Sequence, residues 1–359
     1  MNNSRDPGGA AAPPDIVDSG CRVVEAAAWP EIAGRVPDPI VRNLALPQRP
    51  GRPGILPPQA GWPDLAGRMH RDRPADAVVD LAAARARFGA AAAVVVPSGL
   101  LAAGLHPQPE VEANLAFAYA GWAMARLAPD PALFPLLVLP LRDPQACLRL
   151  VEAHAGAPGI GGFLVPAATR QAVHDNALMP AWAAIERAAL PVVFHAGYQW
   201  TEDATAGANR FLAVQALSGP HFLMTHATNW LVNALPERFP ALRVVWMGGG
   251  LAWIPYLGQR LDTLHRMRPS EAPGLTAAPS AYLRRMWYGT QPVDVDAGGF
   301  AAVVRAVGTD ALLWASGYPA WDFDAPAAIA ALDGVDAAAA AAILGGNARR
   351  VFPLGAVRP

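Results

Sequence analysis

The sequence contains no lysine: all 28 basic residues among its 359 are arginine. That absence excludes Schiff-base chemistry, a phosphate-loop lysine and a carbamylated lysine bridging two metals. It leaves His, Asp and Arg as carriers of protons and charge. Charge is scarce altogether, at 16% of residues with a formal net charge of -1. No electrostatic case for nucleic acid or an anionic membrane surface follows from that balance. Cysteine is nearly absent too. Cys21 and Cys147 are too few for a disulfide or zinc framework, so a cytoplasmic compartment is the expectation. No uninterrupted apolar run reaches the roughly 20 residues of a membrane-spanning helix.

What is present is a large apolar fraction, 53%, with 33 glycines and 37 prolines. A core of one large α/β barrel is within reach of this length. So much apolar surface also predicts a subunit interface. Residues 1–14 are polar and then Gly/Ala/Pro-rich, without the layout of a signal peptide, and read as a loose tail. Residues 15–359 read as one domain. Within it, residues 25–76 carry many prolines and read as an insertion serving as lid or interface. After that insertion, helical and strand patterns alternate about eight times. Asp15–Val24, Ala90–Val96, Phe134–Leu139, Ile160–Val165, Leu242–Met247 and Leu312–Ser316 have strand character. Asp143-Pro144 is a helix start with a capping side chain and a proline in the first turn. Helices are expected over 209–216 and 231–239, and Asn347 is expected to cap a terminal one. The pattern predicts a (β/α)8 barrel rather than two domains.

One strand organises the functional reading. Pro191-Val192-Val193-Phe194-His195-Ala196-Gly197 is a run suited to a strand buried on both faces, ending in an imidazole. In such barrels chemistry sits at the carboxyl ends of the strands, where His195 falls.

Several strings point to a family. Glu237-Arg238-Phe239-Pro240-Ala241-Leu242-Arg243 leads to Gly248-Gly249-Gly250. Gln291-Pro292 follows Trp287. Ser316-Gly317-Tyr318-Pro319-Ala320-Trp321-Asp322 and Gly346-Asn347-Ala348-Arg349-Arg350 complete the set. With Pro191–Gly197, these make the chain resemble the amidohydrolase-related family of barrel hydrolases and decarboxylases. Aminocarboxymuconate-semialdehyde decarboxylase is among its members. The resemblance covers roughly residues 15–352. It implies a divalent metal, such as zinc, held by a His-X-His pair on the first strand, a later His and an Asp. Here Gly20 and Arg22 stand at the first pair, Met247 at the position before the glycines, and Gly317 at the Asp. Only His195 matches. The expectation is that no metal cofactor is bound, because working zinc sites use about three protein ligands.

Three functions are therefore weighed. The first, and the favoured one, is a non-catalytic pseudoenzyme subunit or regulator, paired with itself or with an intact relative. The second is a metal-independent hydrolase or decarboxylase of a small carboxylic acid or lactone. The third is a small-ligand binding protein. The candidate proton carriers are His195 and His226: His195 reads equally as a site residue or as a satisfied strand-end histidine, and for His226 a helix or loop histidine with a local partner is favoured over a place in the same mouth. Arg22 reads as a clamp for a carboxylate or as an internal partner of Asp18 or Asp322. Tyr318, Trp321 and Asp322 are candidate substrate contacts. Asp322 and Asp324 read alternatively as helix caps, and Cys21 as a small buried residue.

Overall fold

The computed structural model describes residues 15–23, 28–45, 81–197, 204–320 and 322–355. The tail, most of the 25–76 insertion and Trp321 lie outside them. Eight parallel strands follow one another around the sheet in chain order. They are β1 (Ile16–Val23), β2 (Ala90–Pro97), β3 (Leu133–Val138), β4 (Gly162–Pro166), β5 (Pro191–His195), β6 (Arg243–Met247), β7 (Trp287–Gly289) and β8 (Leu312–Leu313). Helices connect them on the outside. They are α1 (Leu81–Phe88), α2 (Pro109–Arg126), α3 (Pro144–His154), α4 (Met179–Arg187), α5 (Phe211–Val232), α6 (Trp253–Met267), α7 (Ala297–Val307) and α8 (Asn347–Val351). The (β/α)8 barrel expected from the alternation is what forms. Strands such as Ala90–Pro97 are apolar throughout because helices cover one face and the barrel interior the other.

The barrel is drawn shut between β1 and the chain after β8. Ser19 N donates to Trp314 O at 3.0 Å, Gly317 N to Gly20 O at 3.1 Å, and Arg22 N to Tyr318 O at 2.9 Å. One side chain reinforces this seam. Asp18, 2% exposed, accepts from Ser316 N at 2.9 Å, Ser316 Oγ at 2.5 Å and Gly20 N at 3.0 Å. Burial pushes its carboxyl up, and these bonds pull it back. β1 changes register between Asp18 and Cys21. The irregularity brings Gly20 against Ala315, where a Cβ on residue 20 would lie 2.8 Å from that of Ala315.

The outer layer departs from the sequence reading in two places. Residues 211–232 form one helix that continues through Pro220, where separate helices over 209–216 and 231–239 are expected. Only a short turn, Leu235–Arg238, remains of the second. Burial of Leu223, Ala227, Trp230 and Leu231 against the barrel outweighs the one hydrogen bond the proline removes. Asn347 is no cap either. It is the first residue of α8, and its amide donates to Thr309 O and Leu312 O, at 2.9 and 2.8 Å, steadying the entry to β8. Asp143 caps α3 as expected, accepting from Ala146 N at 2.9 Å. No helix among the described residues is long and apolar enough to cross a membrane.

The seam makes a prediction. Asp18→Ala strands three donors in the interior and should cost roughly 3 kcal/mol of unfolding free energy. Urea denaturation followed by circular dichroism measures it; a loss below about 0.5 kcal/mol would show that the closure does not depend on this carboxylate.

Candidate functional site

The carboxyl ends of the strands hold Arg22, His195 and Met247, all buried, with His195 opposite Met247 and within the field of the Arg22 charge. In β5 successive side chains alternate between the helix layer and the barrel interior. Phe194 takes the outer direction. It stacks on Trp246 at 4.4 Å between centroids and meets Trp230 of α5 edge-on at 5.7 Å. His195 therefore faces inward, paired in register with Met247 on β6. Gly248 makes room for it. Its φ is +78°, and a Cβ there would lie 2.7 Å from Cε1 of the imidazole.

His195 is 2% exposed, and its Nδ1 lies 2.7 Å from the carbonyl oxygen of Ala196. A carbonyl only accepts, so Nδ1 carries the proton and Nε2 presents a lone pair. Burial, and then the positive charge of Arg22, hold the imidazole down to a pKa of about 3.

Arg22 is also 2% exposed. Its Nε and Nη2 are buried without a hydrogen-bond partner. The expected internal pairing fails for a clear reason. Asp18 is taken by Ser316 and Gly20, and Asp322 Oδ2 accepts from Gln215 at 3.0 Å. Among the described residues, the Nε and Nη2 edge of the guanidinium is left bare.

The remaining candidates fall elsewhere. His226 lies on α5 against Phe194, 5.7 Å between ring centroids, with its Nε2 2.7 Å from Ala167 O. It thus packs on the outer side of β5, away from His195, and burial lowers its pKa. This is the helix histidine with a local partner that the sequence favoured over a place in the mouth. Tyr318 turns toward α1, edge-on to Phe88 at 5.7 Å and to Phe323 at 5.3 Å, with the Arg87 guanidinium 5.4 Å from its ring. Asp322 and Asp324 cap no helix. Asp324 accepts from Val293 N at 2.8 Å. Its carboxyl rises to about 6, from burial first and then from the charges of Asp322 and Asp294. Cys21 is a buried thiol with its pKa pushed up by burial.

The sequence reading assigns Gln291 no role. In the structure it fills the space a side chain at residue 317 would need, with Cδ 2.6 Å from a Cβ built on Gly317. Its amide donates to Asp322 O at 3.1 Å. The Gln-Pro string after Trp287 is the signal that marks it. Among the described residues, no three His, Cys, Asp or Glu side chains gather so as to hold a metal ion.

The chain matches the amidohydrolase family (Amidohydro_2) over residues 29–354, and so belongs to it. No curated protein matches it. Solved structures share the fold. The 5-carboxyvanillate decarboxylase LigW of Sphingomonas paucimobilis is 20% identical with a TM-score of 0.73, over 95% of this chain and 99% of that one. The amidohydrolase map2389c of Mycobacterium avium subsp. paratuberculosis K-10 is 18% identical at a TM-score of 0.75, over 96% and 100%. A dihydroxybenzoic acid decarboxylase of Polaromonas sp. JS666, with bound manganese, is 15% identical at a TM-score of 0.67, over 93% and 96%.

The site predicts a silent histidine. The imidazole nitrogens of His195 should show no titration between pH 5 and 8 by nitrogen-15 NMR, and Arg22→Gln should raise its pKa. The sign for stability follows. The folded pKa lies below the unfolded value of 6.5, so only the unfolded chain takes up this proton between about 6.5 and 3. The contribution of His195 to stability therefore falls as the pH drops through that window, and Arg22→Gln reduces the fall. A His195 that titrates near 6.5 would contradict the geometry.

Proposed function

We propose that the barrel mouth binds a small carboxylic acid, with the Arg22 guanidinium as the positive charge and without a divalent metal. The observation that carries this reading is the bare, buried donor edge of Arg22. An unpaired interior charge costs several kcal/mol. A carboxylate docked on it would return roughly 4 kcal/mol at 4 Å with an effective dielectric of 20, and the fork of donors matches two oxygens.

A metal of the kind carried by the Polaromonas structure does not fit these residues. A dication about 5 Å from the guanidinium would meet a repulsion on the order of 7 kcal/mol at the same dielectric. Ala315 fills the space beside Gly20, and Gln291 fills that beside Gly317. Next to His195 stands the thioether of Met247, a soft and weak donor for a hard cation.

The family relationship supports an acid as ligand, since the LigW and Polaromonas relatives are named for decarboxylating aromatic acids. Decarboxylation is the second reading for this chain, and that likeness is its support. The electrostatics favour binding over it. A guanidinium on the carboxylate stabilises the charge that departure of CO2 removes from those oxygens, and so raises the barrier. A mouth kept only as a relic, as in a non-catalytic subunit, accounts less well for an uncompensated charge.

The test is calorimetry with benzoate on chelator-treated protein. Binding should persist after removal of metal, and Arg22→Gln should weaken it by at least about tenfold. Binding that requires added manganese or zinc, or that is indifferent to Arg22→Gln, would overturn the proposal.

A further inference from the structure

We infer that Leu212–Ser218, the start of α5, is a lid over the acid site, latched by Gln215 and hinged at Gly219-Pro220. The inference rests on the reading of Arg22 as the carboxylate seat and adds how an acid reaches it.

An acid needs an entrance, because Arg22 and His195 are each only 2% exposed. The turn Gly99–Leu105 closes one part of the mouth and is poorly suited to move. It is wedged against the ends of β4 and β5: a Cβ on Gly104 would lie 2.7 Å from that of Thr169, and one on Gly197 would lie 3.1 Å from Leu101 O. Its Leu100, Leu101 and Leu105 are all buried, so lifting it would bring three leucines into water.

The start of α5 crosses from the end of β6 to the chain after β8. At one end it rests on Gly249, where a Cβ would lie 3.2 Å from the Gly219 carbonyl carbon and 2.5 Å from Leu223 Cδ1. Gly249 follows Gly248, whose backbone lies against the His195 ring. At the other end Gln215 Nε2 donates to Asp322 Oδ2 at 3.0 Å, and Asp322 O accepts from Gln291, which fills the hollow beside Gly317.

Three features make this span the movable one. First, it buries little apolar surface. Leu212 and Leu217 are already 79% and 55% exposed, and Val214 is its buried branched side chain. Second, its closed seat is imperfect. Gln215 Oε1 and Ser218 Oγ are buried with no hydrogen-bond partner among the described residues, and both would gain water on opening. Third, Pro220 has no N–H to give the carbonyl of Ala216. The helical ladder is thus interrupted just where the lid meets the part of α5 that Leu223, Ala227 and Trp230 pack on the barrel. A bend there lets Leu212–Ser218 swing while the rest of α5 stays in place.

The experiment uses the full chain at pH 7 and follows benzoate binding by stopped-flow tryptophan fluorescence. Gln215→Ala releases the latch. It should raise the association and dissociation rate constants together, by roughly three- to tenfold, the range of one neutral hydrogen bond, with Kd within about twofold of the wild type. Pro220→Ala restores the missing N–H and should slow both. A second readout needs no ligand. In Gln215→Ala, hydrogen exchange of the amides of 216–218 should quicken while that of 223–232 stays unchanged. Rate constants untouched by both variants, an effect carried by dissociation alone, or unaltered exchange would overturn this inference. Failure of benzoate to bind the wild type would overturn the Arg22 reading, while the exchange measurement would still support or overturn the opening of this segment.

Discussion

A positive charge held inside the barrel, with no counter-charge paired to it among the described residues, governs the rest of this site. Arg22 comes from β1, whose seam with the chain after β8 is fastened by Asp18. That fastening uses up a carboxylate four residues from Arg22 on the same strand. The closure of the fold and the bareness of the guanidinium are thus two results of one arrangement. Were Asp18 free to pair with Arg22, the seam would lose its side-chain bonds and the mouth would lose its cation. The chain after β8 supplies the backbone partners, and Gln291 from after β7 fills the hollow beside Gly317.

The charge also sets the state of the neighbouring imidazole. Burial alone disfavours a charged histidine, and Arg22 adds to that. His195 is therefore poor as a general acid and weak as a base at neutral pH. It keeps its value as a hydrogen-bond acceptor of fixed orientation. These two states are what favour the proposed reading of an acid receptor over that of a decarboxylase.

The barrel was legible in the sequence because apolar runs and helical spacings repeat, and because the family strings fall in order. His195 was legible as well, being a polar residue that ends an apolar strand. Its chemical state was not, since that depends on Ala196 O, Gly248 and Arg22 together. The pairing of Arg22 could not be read from spacing: Asp18 is four residues away, yet bonds to Ser316 across the seam. His226 stayed open between two readings because a histidine after an apolar stretch looks the same on a helix as at a strand end. Only the direction of Phe194 shows which side of β5 it occupies. Tyr318 lies next to the seam in sequence, but its ring joins Phe88 and Phe323 in the outer layer. The uninterrupted helix through Pro220 reflects burial overriding a local breaker.

The central claim is that a guanidinium occupies the electrostatic role a metal ion would fill. The most direct measurement is the metal content of the protein, purified without chelator after growth with added zinc and manganese. The account predicts well under about one-tenth of an equivalent of either ion, since among the described residues no three ligating side chains gather as a stable centre requires. Near one equivalent, retained through dialysis and lost on substituting His195, would contradict it.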